Sequence, residues 1–189
     1  KIFTEIKDNI QKNFSNFEIF NFFKKDKRIL LFLFENDMIS VDKSIYNFIL
    51  NENSAKCSFF CHFFYFEIEK FKKEKLFELD ESIVNNFEEK RQKGENDSYI
   101  CSLIRDDLIN EFIVYINRIN LPLSSKIEDS IFETNSFLLK NKGQTTLIEY
   151  VAFFGSIQIF QYLRLNNVEL KPSLWLYAIH SNNAELIHL

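Results

Sequence analysis

The sequence predicts an all-α protein built from stacked helix-turn-helix pairs, and three observations support this prediction. Only 3 Gly and 2 Pro occur among 189 residues, which leaves few of the tight turns that β-hairpins require. Apolar residues recur at the i, i+3, i+4 spacing of a helix with one buried face. The phrase LIEYVAFFGSIQIFQYL, from Leu147, returns at an offset of 27 residues as WLYAIHSNNAELIHL, in which Trp175 takes the place of Ile148. Repeats of 20–50 residues are typical of solenoids, because one helix pair needs a neighbour to cover its apolar face.

The first helix pair is predicted at residues 16–39, with Lys25-Asp26 as its turn. Ile29-Leu30 and Phe32-Leu33 take the apolar positions of its second helix. Residues 41–92 carry further helical patterns that do not fall into this register.

A polar stretch then separates two regions of the chain. The sequence EEKRQKGEND at 88–97 indicates the tail of a helix, a short linker with Gly94, and Asp97 as the cap of the next helix. We therefore expect divergent helical repeats at 1–92 and better defined repeats at 93–189, in one continuous array.

The next predicted pair occupies residues 98–123. Its Phe112-Ile113 corresponds to Ile159-Phe160 at an offset of 47. Because the other offset is 27, we expect an insertion at roughly 124–142.

The pair that begins at Thr146 has clear signals at both helix ends. Thr146 and Glu149 form a predicted capping box, in which each side chain accepts a hydrogen bond from the other residue's backbone N–H. Gly155 breaks the first helix, and Asn166-Asn167 end the second, since Asn tolerates the left-handed conformation common at helix C-termini. The last pair follows Pro172, which cannot extend a preceding helix, and breaks at Asn182-Asn183.

In this register the chain resembles the ankyrin-repeat family. The family pattern is Thr-Pro-Leu-His-x-Ala-Ala-x-x-Gly-His, then Leu-Glu-Ile-Val-x-x-Leu-Leu. The matching positions are Thr146, Ile148, Ala152, Gly155, Ile157, Ile159, Phe160 and Leu163. The departures are Leu147, Glu149, Val151 and Asn167, and the usual period of about 33 residues is shortened where the β-hairpin finger should lie.

More narrowly, the chain is similar to divergent ankyrin-like proteins of some anaerobic flagellate protists, through phrases such as KGEND, SFLLKN and SLWLYAIH. The resemblance implies an ankyrin-like solenoid with shortened fingers. It also implies a binding scaffold, and it transfers no catalytic residues.

The candidate chemical sites favour no enzyme and no cofactor. Cys57-x3-Cys61-His62 is the nearest approach to a zinc site, but zinc takes four ligands and the next candidates are distant; we expect apolar packing there, beside Phe59, Phe60 and Phe63. His180 and His188 have no carboxylate or nucleophile at a recognisable spacing. A phosphate loop is excluded because the three glycines, Gly94, Gly143 and Gly155, are far apart in the sequence. We interpret the acidic pairs Glu88-Glu89 and Asp106-Asp107 as solvated faces or turns.

A row of aromatic residues is the predicted partner-binding surface. In the ankyrin-like register Tyr150, Phe153 and Phe154 lie on the outer, concave side of a first helix, and Tyr177 and His180 repeat this one layer along. Exposed aromatics in a row serve as anchors for a protein partner. The alternative is that adjoining repeats or the inserted segment 124–142 cover them. Three turn residues form the predicted rim of the surface: Asn167, Glu169 and Lys171.

The predicted function is therefore a non-enzymatic scaffold for protein–protein interaction, without a small-molecule substrate. A net charge of -4 without a basic cluster disfavours nucleic acid. The longest apolar run, 29–34, is far short of the ~18 residues that a membrane span needs. Three irregularly spaced cysteines favour a reducing compartment, and hence a cytoplasmic location. The chain begins with Lys1 and ends inside an apolar helical pattern, so we expect a longer protein. Two alternatives stay open: a regulatory segment of a protein whose active domain lies outside this chain, or a purely structural segment of a longer array.

Overall fold

The computed structural model describes residues 2–51, 57–72, 81–140 and 143–188, which form helices joined by short turns. Within this part of the chain, the β-structure is limited to an isolated antiparallel bridge between Lys126 and Thr146. The all-α prediction is confirmed.

The chain divides into two compact units. Unit 1 comprises residues 1–95 and 131–136, and unit 2 comprises residues 96–130 and 137–189. The transition at Glu95–Asn96 lies close to the boundary predicted from the polar stretch 88–97. The sequence did not indicate that the inserted segment contributes residues 131–136 to unit 1.

Unit 1 is a cluster of short helices around an aromatic core. Its helices are α1 (Ile2–Asn13), α2 (Asn16–Phe23), α3 (Lys27–Glu35), α4 (Lys43–Asn51), α5 (Cys57–Phe63), α6 (Tyr65–Lys72), α7 (Glu81–Val84) and α8 (Phe87–Lys93). The rings of Phe20, Phe63 and Phe64 are fully buried at its centre. Phe63 and Phe64 pack edge to face with centroids 4.9 Å apart, an arrangement that aromatic pairs prefer.

The first predicted helix pair is present as α2, a turn, and α3. The N–H of Met38 donates to the carbonyl of Leu33 at 2.8 Å, and the N–H of Val168 makes the same bond to Leu163 in the later repeat. The predicted equivalence of Leu33 and Leu163 is therefore consistent with the helix-end geometry. Ile29 and Phe32, however, are exposed rather than core positions. The buried face of α3 consists of Leu30, Leu31, Leu33 and Phe34.

Unit 2 consists of three helix pairs and one short extra helix. The pairs are α9 (Tyr99–Arg105) with α10 (Ile109–Arg118), α12 (Leu147–Phe154) with α13 (Ile157–Leu165), and α14 (Leu174–Ser181) with α15 (Ala184–Ile187). The extra helix is α11 (Ser136–Lys140), which belongs to unit 2 from its second residue onward. The first helices lie side by side in the order α9, α12, α14, and α10 contacts α13. Their apolar faces form one core, with Cys101, Val151 and Ile159 at 0 % exposure.

The helix ends of unit 2 follow the sequence signals, with one exception. Thr146 and Glu149 form the predicted capping box. Gly155 ends α12 in the left-handed conformation with φ 75°, and Asn167 is left-handed after α13 with φ 59°. The assignment of Asp97 as a cap was wrong: Ser98 is the N-cap of α9, and the Asp97 carboxylate accepts a hydrogen bond from the Ser130 hydroxyl instead.

Polar side chains in the turns join successive pairs. The Asp107 carboxylate accepts hydrogen bonds from the N–H groups of Gln158 and Ile159 at 3.0 and 3.1 Å, so it caps α13 from the preceding pair. The Asn183 amide donates to the carbonyl of Gly155 at 3.1 Å, one pair further along. Because a capping bond of this kind stabilises a helix by roughly 1 kcal/mol, these bonds reinforce the stacking of the apolar faces.

Candidate functional site

The predicted aromatic row is buried over most of its length. Tyr150 and Phe153 on α12 and Tyr177 on α14 are core residues of unit 2. The sequence left open whether the row is exposed or covered, and these three side chains are covered. Phe154 is half-buried, and His180 is exposed.

The cover comes from the inserted segment, which was the alternative that the sequence left open. The ring of Phe137 on α11 stacks on Phe153 with centroids 5.8 Å apart and meets the ring of Tyr177 at 5.0 Å. It also lies 4.2 Å from the imidazole of His180. One aromatic residue of the insertion therefore closes the face that the ankyrin-like register left open.

Tyr150 also has a polar function inside unit 2. Its hydroxyl accepts a hydrogen bond from Arg105 at 3.1 Å, and the same arginine nitrogen donates to the carbonyl of Asn96. The Arg105 guanidinium lies 5.9 Å from the Phe154 ring, within the range of a cation–π contact. Tyr150 thus fixes the positions of α9 and α12 relative to each other and is not a surface anchor.

The three predicted rim residues are exposed. Asn167 occupies the left-handed turn after α13, and Glu169 and Lys171 follow it in the connection to α14. Glu169 and Lys171 line a small cleft of about 70 Å³, whose floor includes Thr146 and Glu149.

An exposed apolar surface on α14 was missed by the sequence reasoning. Trp175, Leu176 and Ile179 are 55 %, 58 % and 60 % exposed, and we call these three residues the terminal face. A signal for it was available, since α14 has the sequence LWLYAIHS and its apolar positions are more numerous than one buried stripe requires.

The repeat allows the terminal face to be compared with the equivalent positions of α12. At the offset of 27 residues, Trp175 and Ile179 correspond to Ile148 and Ala152 on α12. Those two residues are only 3 % and 0 % exposed, in a helix that contacts both α9 and α14. The same positions are thus buried in the middle helix and open in the last one.

Two glutamates of unit 1 have pKa values that their surroundings shift. In unit 1 the buried Arg91 pairs with Glu67 at 2.9 Å and with Glu88 at 3.0 Å. Burial raises the pKa of Glu67 above its ordinary value, against the attraction of the Arg91 charge. Glu89 is solvent-exposed, and its hydrogen bond to Lys93 lowers its pKa.

The Cys-x3-Cys-His motif of α5 is described only in part. Cys61 is buried and disulfide-bonded, which departs from the reduced cysteines that the sequence favoured; the side chain of Cys57 lies outside the described residues. Phe63 is buried and Phe60 half-buried beside Cys61, as the packing interpretation predicts; the side chain of Phe59 is also outside the described part. No group of three or more His, Cys, Asp or Glu with metal-binding geometry occurs among the described side chains.

The acidic pairs have the structural roles that the sequence indicated. Glu88 and Glu89 are exposed on α8, and Asp106-Asp107 form the turn between α9 and α10. Among the described helices, none has both the length and the apolar character needed to cross a membrane.

No protein-family model, no curated protein and no solved structure matches this chain.

Proposed function

We propose that this chain is a non-enzymatic, ankyrin-like scaffold that binds a protein partner through the terminal face of unit 2. The observation behind the proposal is the register comparison between α12 and α14. Positions that are buried on α12 are apolar and exposed on α14, at Trp175 and Ile179. A partner that covered them would remove from water the same kind of apolar surface that is buried on α12.

The chemistry of the terminal face favours a helical partner with an apolar stripe. The sequence of α14 contains no Asp, Glu, Lys or Arg, so its burial requires no charge to be desolvated. Trp is one of the side chains enriched at the energetic centres of protein interfaces. Since α14 itself packs on α12 through a helix face, a partner helix with apolar residues at i, i+3 and i+4 fits the same geometry.

The residues first predicted to bind the partner take two different roles in this proposal. Tyr150, Phe153 and Tyr177 hold α12 and α14 in place from inside, and Phe154 lies beside them. The exposed residues of the prediction remain candidates for contacts at the edge of the partner: His180, Asn167, Glu169 and Lys171.

The ankyrin-like assignment rests on three features of unit 2. The helix pairs are consecutive and side by side, the first helix of the middle pair begins with a capping box at Thr146, and its left-handed end is at Gly155. The connection from Asn167 to Ser173 is too short for a full β-hairpin finger, as in the shortened repeat that the sequence indicates.

A second candidate role is structural, and the same register comparison favours it. In this role the terminal face is covered by a further helix pair of a longer array, and the chain has no separate partner. The two roles differ in one respect: a scaffold captures a different protein, whereas a structural segment captures none.

Capture with matched variants tests the proposal. The wild-type chain is immobilised beside the double variant Trp175→Glu/Ile179→Glu, which places charges on the terminal face. The control is Leu165→Glu, because Leu165 is 78 % exposed and lies on α13 of the same unit. We expect wild type and Leu165→Glu to capture the same protein and the double variant to lose it while keeping its helical circular dichroism. A folded double variant that captures the same protein as wild type would contradict the proposal, and capture of nothing by any variant would favour the structural role.

A further inference from the structure

The first helix pair of unit 2 carries an open hollow on its surface. The hollow has a volume of about 270 Å³ and is lined by side chains of α9 and α10: Tyr99, Asn110, Glu111, Val114, Tyr115 and Arg118. Tyr99 and Val114 are 53 % and 67 % exposed, and Tyr115 is half-buried. We call these six residues the tyrosine groove. The groove shares no residue with the terminal face, so a ligand bound there adds a second docking surface to unit 2.

Two aromatic rings lie next to each other in the groove. Tyr99 and Tyr115 pack edge to face with ring centroids 5.0 Å apart, and the Arg118 guanidinium lies 5.6 Å from the centre of the Tyr115 ring. Both contacts are of a stabilising kind. Among the described residues, neither tyrosine hydroxyl has a hydrogen-bond partner. Both hydroxyls are therefore available to a ligand.

The groove also carries one charge of each sign. Glu111 and Arg118 are seven positions apart on α10, and Val114 and Tyr115 lie between them at i+3 and i+4, so the four residues share one helix face. Seven residues of α-helix span about 10 Å. Within the part of the chain that the structure describes, the Glu111 carboxylate forms no ion pair. An acidic and a basic group thus stand about 10 Å apart with aromatic surface between them.

We propose that the tyrosine groove binds a proline-rich peptide in the polyproline II conformation, with one basic and one acidic residue three positions apart. Polyproline II has three residues per turn, so side chains three positions apart lie on one face, about 9 Å from each other. This spacing matches that of Glu111 and Arg118. The basic residue of the peptide pairs with Glu111, and its acidic residue pairs with Arg118.

The tyrosine hydroxyls favour this ligand over a helical one. A helix uses its backbone carbonyls for its own hydrogen bonds, whereas polyproline II has no internal hydrogen bonds and leaves its carbonyls open. Tyr99 and Tyr115 can donate to these carbonyls while their rings pack against proline, and aromatic-lined grooves recognise such segments in this way. A hollow of about 270 Å³ is small for a ligand site, which suits a short extended segment better than a helix.

Fluorescence anisotropy with labelled peptides tests the proposal. The probe is the octapeptide PPRPPEPP, titrated with the full wild-type chain. Three peptides serve as controls. PPRPEPPP has the same composition but places the charges two positions apart, and PPAPPAPP lacks the charges. The third is an alanine-rich helical peptide with Arg and Glu seven positions apart.

Three variants of the full chain are compared with wild type. Tyr99→Phe/Tyr115→Phe removes the two hydroxyls and keeps both rings. Glu111→Gln removes the negative charge of the groove. Glu169→Gln is its matched control, because Glu169 is also exposed in unit 2 but lies outside the groove. Circular dichroism confirms that each variant is folded.

We expect wild type and Glu169→Gln to bind PPRPPEPP more tightly than each of the three control peptides. Tyr99→Phe/Tyr115→Phe should weaken this binding by about tenfold, because two hydrogen bonds to the peptide are lost. Glu111→Gln should weaken it by about threefold, the effect of an exposed ion pair, and should reduce its dependence on salt. Binding of PPAPPAPP should be the same for Glu111→Gln and wild type.

Four results would overturn the proposal. The first is the absence of saturable binding of PPRPPEPP by the folded wild-type chain. The second is equal affinity for PPRPPEPP and PPRPEPPP, and the third is an affinity for PPRPPEPP that Tyr99→Phe/Tyr115→Phe leaves unchanged. The fourth is tighter binding of the helical peptide, which would assign the groove to a helical partner instead.

Discussion

The Glu149 carboxylate accepts a hydrogen bond from the Ser173 hydroxyl at 2.8 Å, so the N-caps of α12 and α14, the first helices of two successive pairs, are joined through one side chain. Its other oxygen closes the capping box with the N–H and the hydroxyl of Thr146, both at 2.8 Å. Ser173 occupies the repeat position of Thr146. The carboxylate is buried, and all three donors lie at the N-terminal ends of the first helices, where a negative charge is favourable.

Glu149→Ala should therefore destabilise unit 2 by about 1–3 kcal/mol, since it leaves three half-buried donors without their acceptor. The measurement is urea denaturation followed by circular dichroism. Glu18→Ala is the matched control, because Glu18 forms the same box with Ser15 but is exposed. Equal losses for the two variants would show that the bond to Ser173 contributes nothing.

Gly94→Ala should destabilise unit 1 strongly. Gly94 has φ +65°, and a Cβ there would lie 2.6 Å from the Thr134 hydroxyl oxygen and 3.0 Å from Arg28 Nε. The left-handed conformation costs about 1–2 kcal/mol for a residue with a side chain, and the clash adds about 1–3 kcal/mol.

The control is Gly143→Ala, because Gly143 has φ +59° but its nearest neighbour, an Asp129 oxygen, is 3.6 Å away. Gly143→Ala should lose only the stability that the left-handed conformation costs, about 1–2 kcal/mol. If both alanine variants unfold at the same denaturant concentration, the packing of Gly94 against Thr134 is not tight.

Phe137→Ala should open the aromatic cluster of unit 2. We expect a loss of about 2 kcal/mol, below the range for a fully buried Phe because Phe137 is half-buried. The rings of Phe153 and Tyr177 should become accessible, which an increase in binding of an environment-sensitive dye measures. Phe22→Ala serves as the control, since an exposed side chain contributes little to folding. Unchanged stability and dye binding in Phe137→Ala would show that the insertion does not cover these rings.

Two glutamates of unit 1 should change the stability of the fold in opposite directions as the pH falls. Burial raises the folded-state pKa of Glu67 above 4.5, so the native state binds its proton first and this group stabilises the fold as pH falls from neutral toward 4.5. The free energy of unfolding of wild type relative to Glu67→Gln should therefore increase over that window.

Glu89 provides the opposite case. Its hydrogen bond to Lys93 lowers its pKa below 4.5, so its contribution is present above 4.5 and is lost as pH falls through the lowered value. Wild type relative to Glu89→Gln should lose stability below pH 4.5. A rise for Glu89, or a fall for Glu67, would contradict the environments described for these carboxylates.

The helix ends at Thr146, Gly155 and Asn167 in unit 2 were predicted from the sequence, because such signals depend only on nearby residues. The capping box at Thr146 and the left-handed ends at Gly155 and Asn167 require only the chain within a few positions. The helix pair at 16–39 was predicted for the same reason. Asp97 was misassigned because Ser98, its neighbour, is an equally acceptable cap.

Long-range packing accounts for what the sequence did not predict. The insertion could not be positioned from its own sequence, so neither the contact of Phe137 with Phe153 nor the assignment of residues 131–136 to unit 1 was foreseen. The exposure of Trp175 was missed because an apolar residue at a repeat position is assumed to have a neighbour, and the pattern does not show whether that neighbour is present.

The fluorescence of Trp175 tests the central claim most directly, because the chain contains a single Trp. Its emission and its quenching by acrylamide are measured in the wild-type chain, alone and with the protein that the chain captures. We predict red-shifted, readily quenched emission for the chain alone, and a blue shift with loss of quenching when the partner is added. Emission and quenching that the bound partner leaves unchanged would contradict a scaffold that binds through the terminal face.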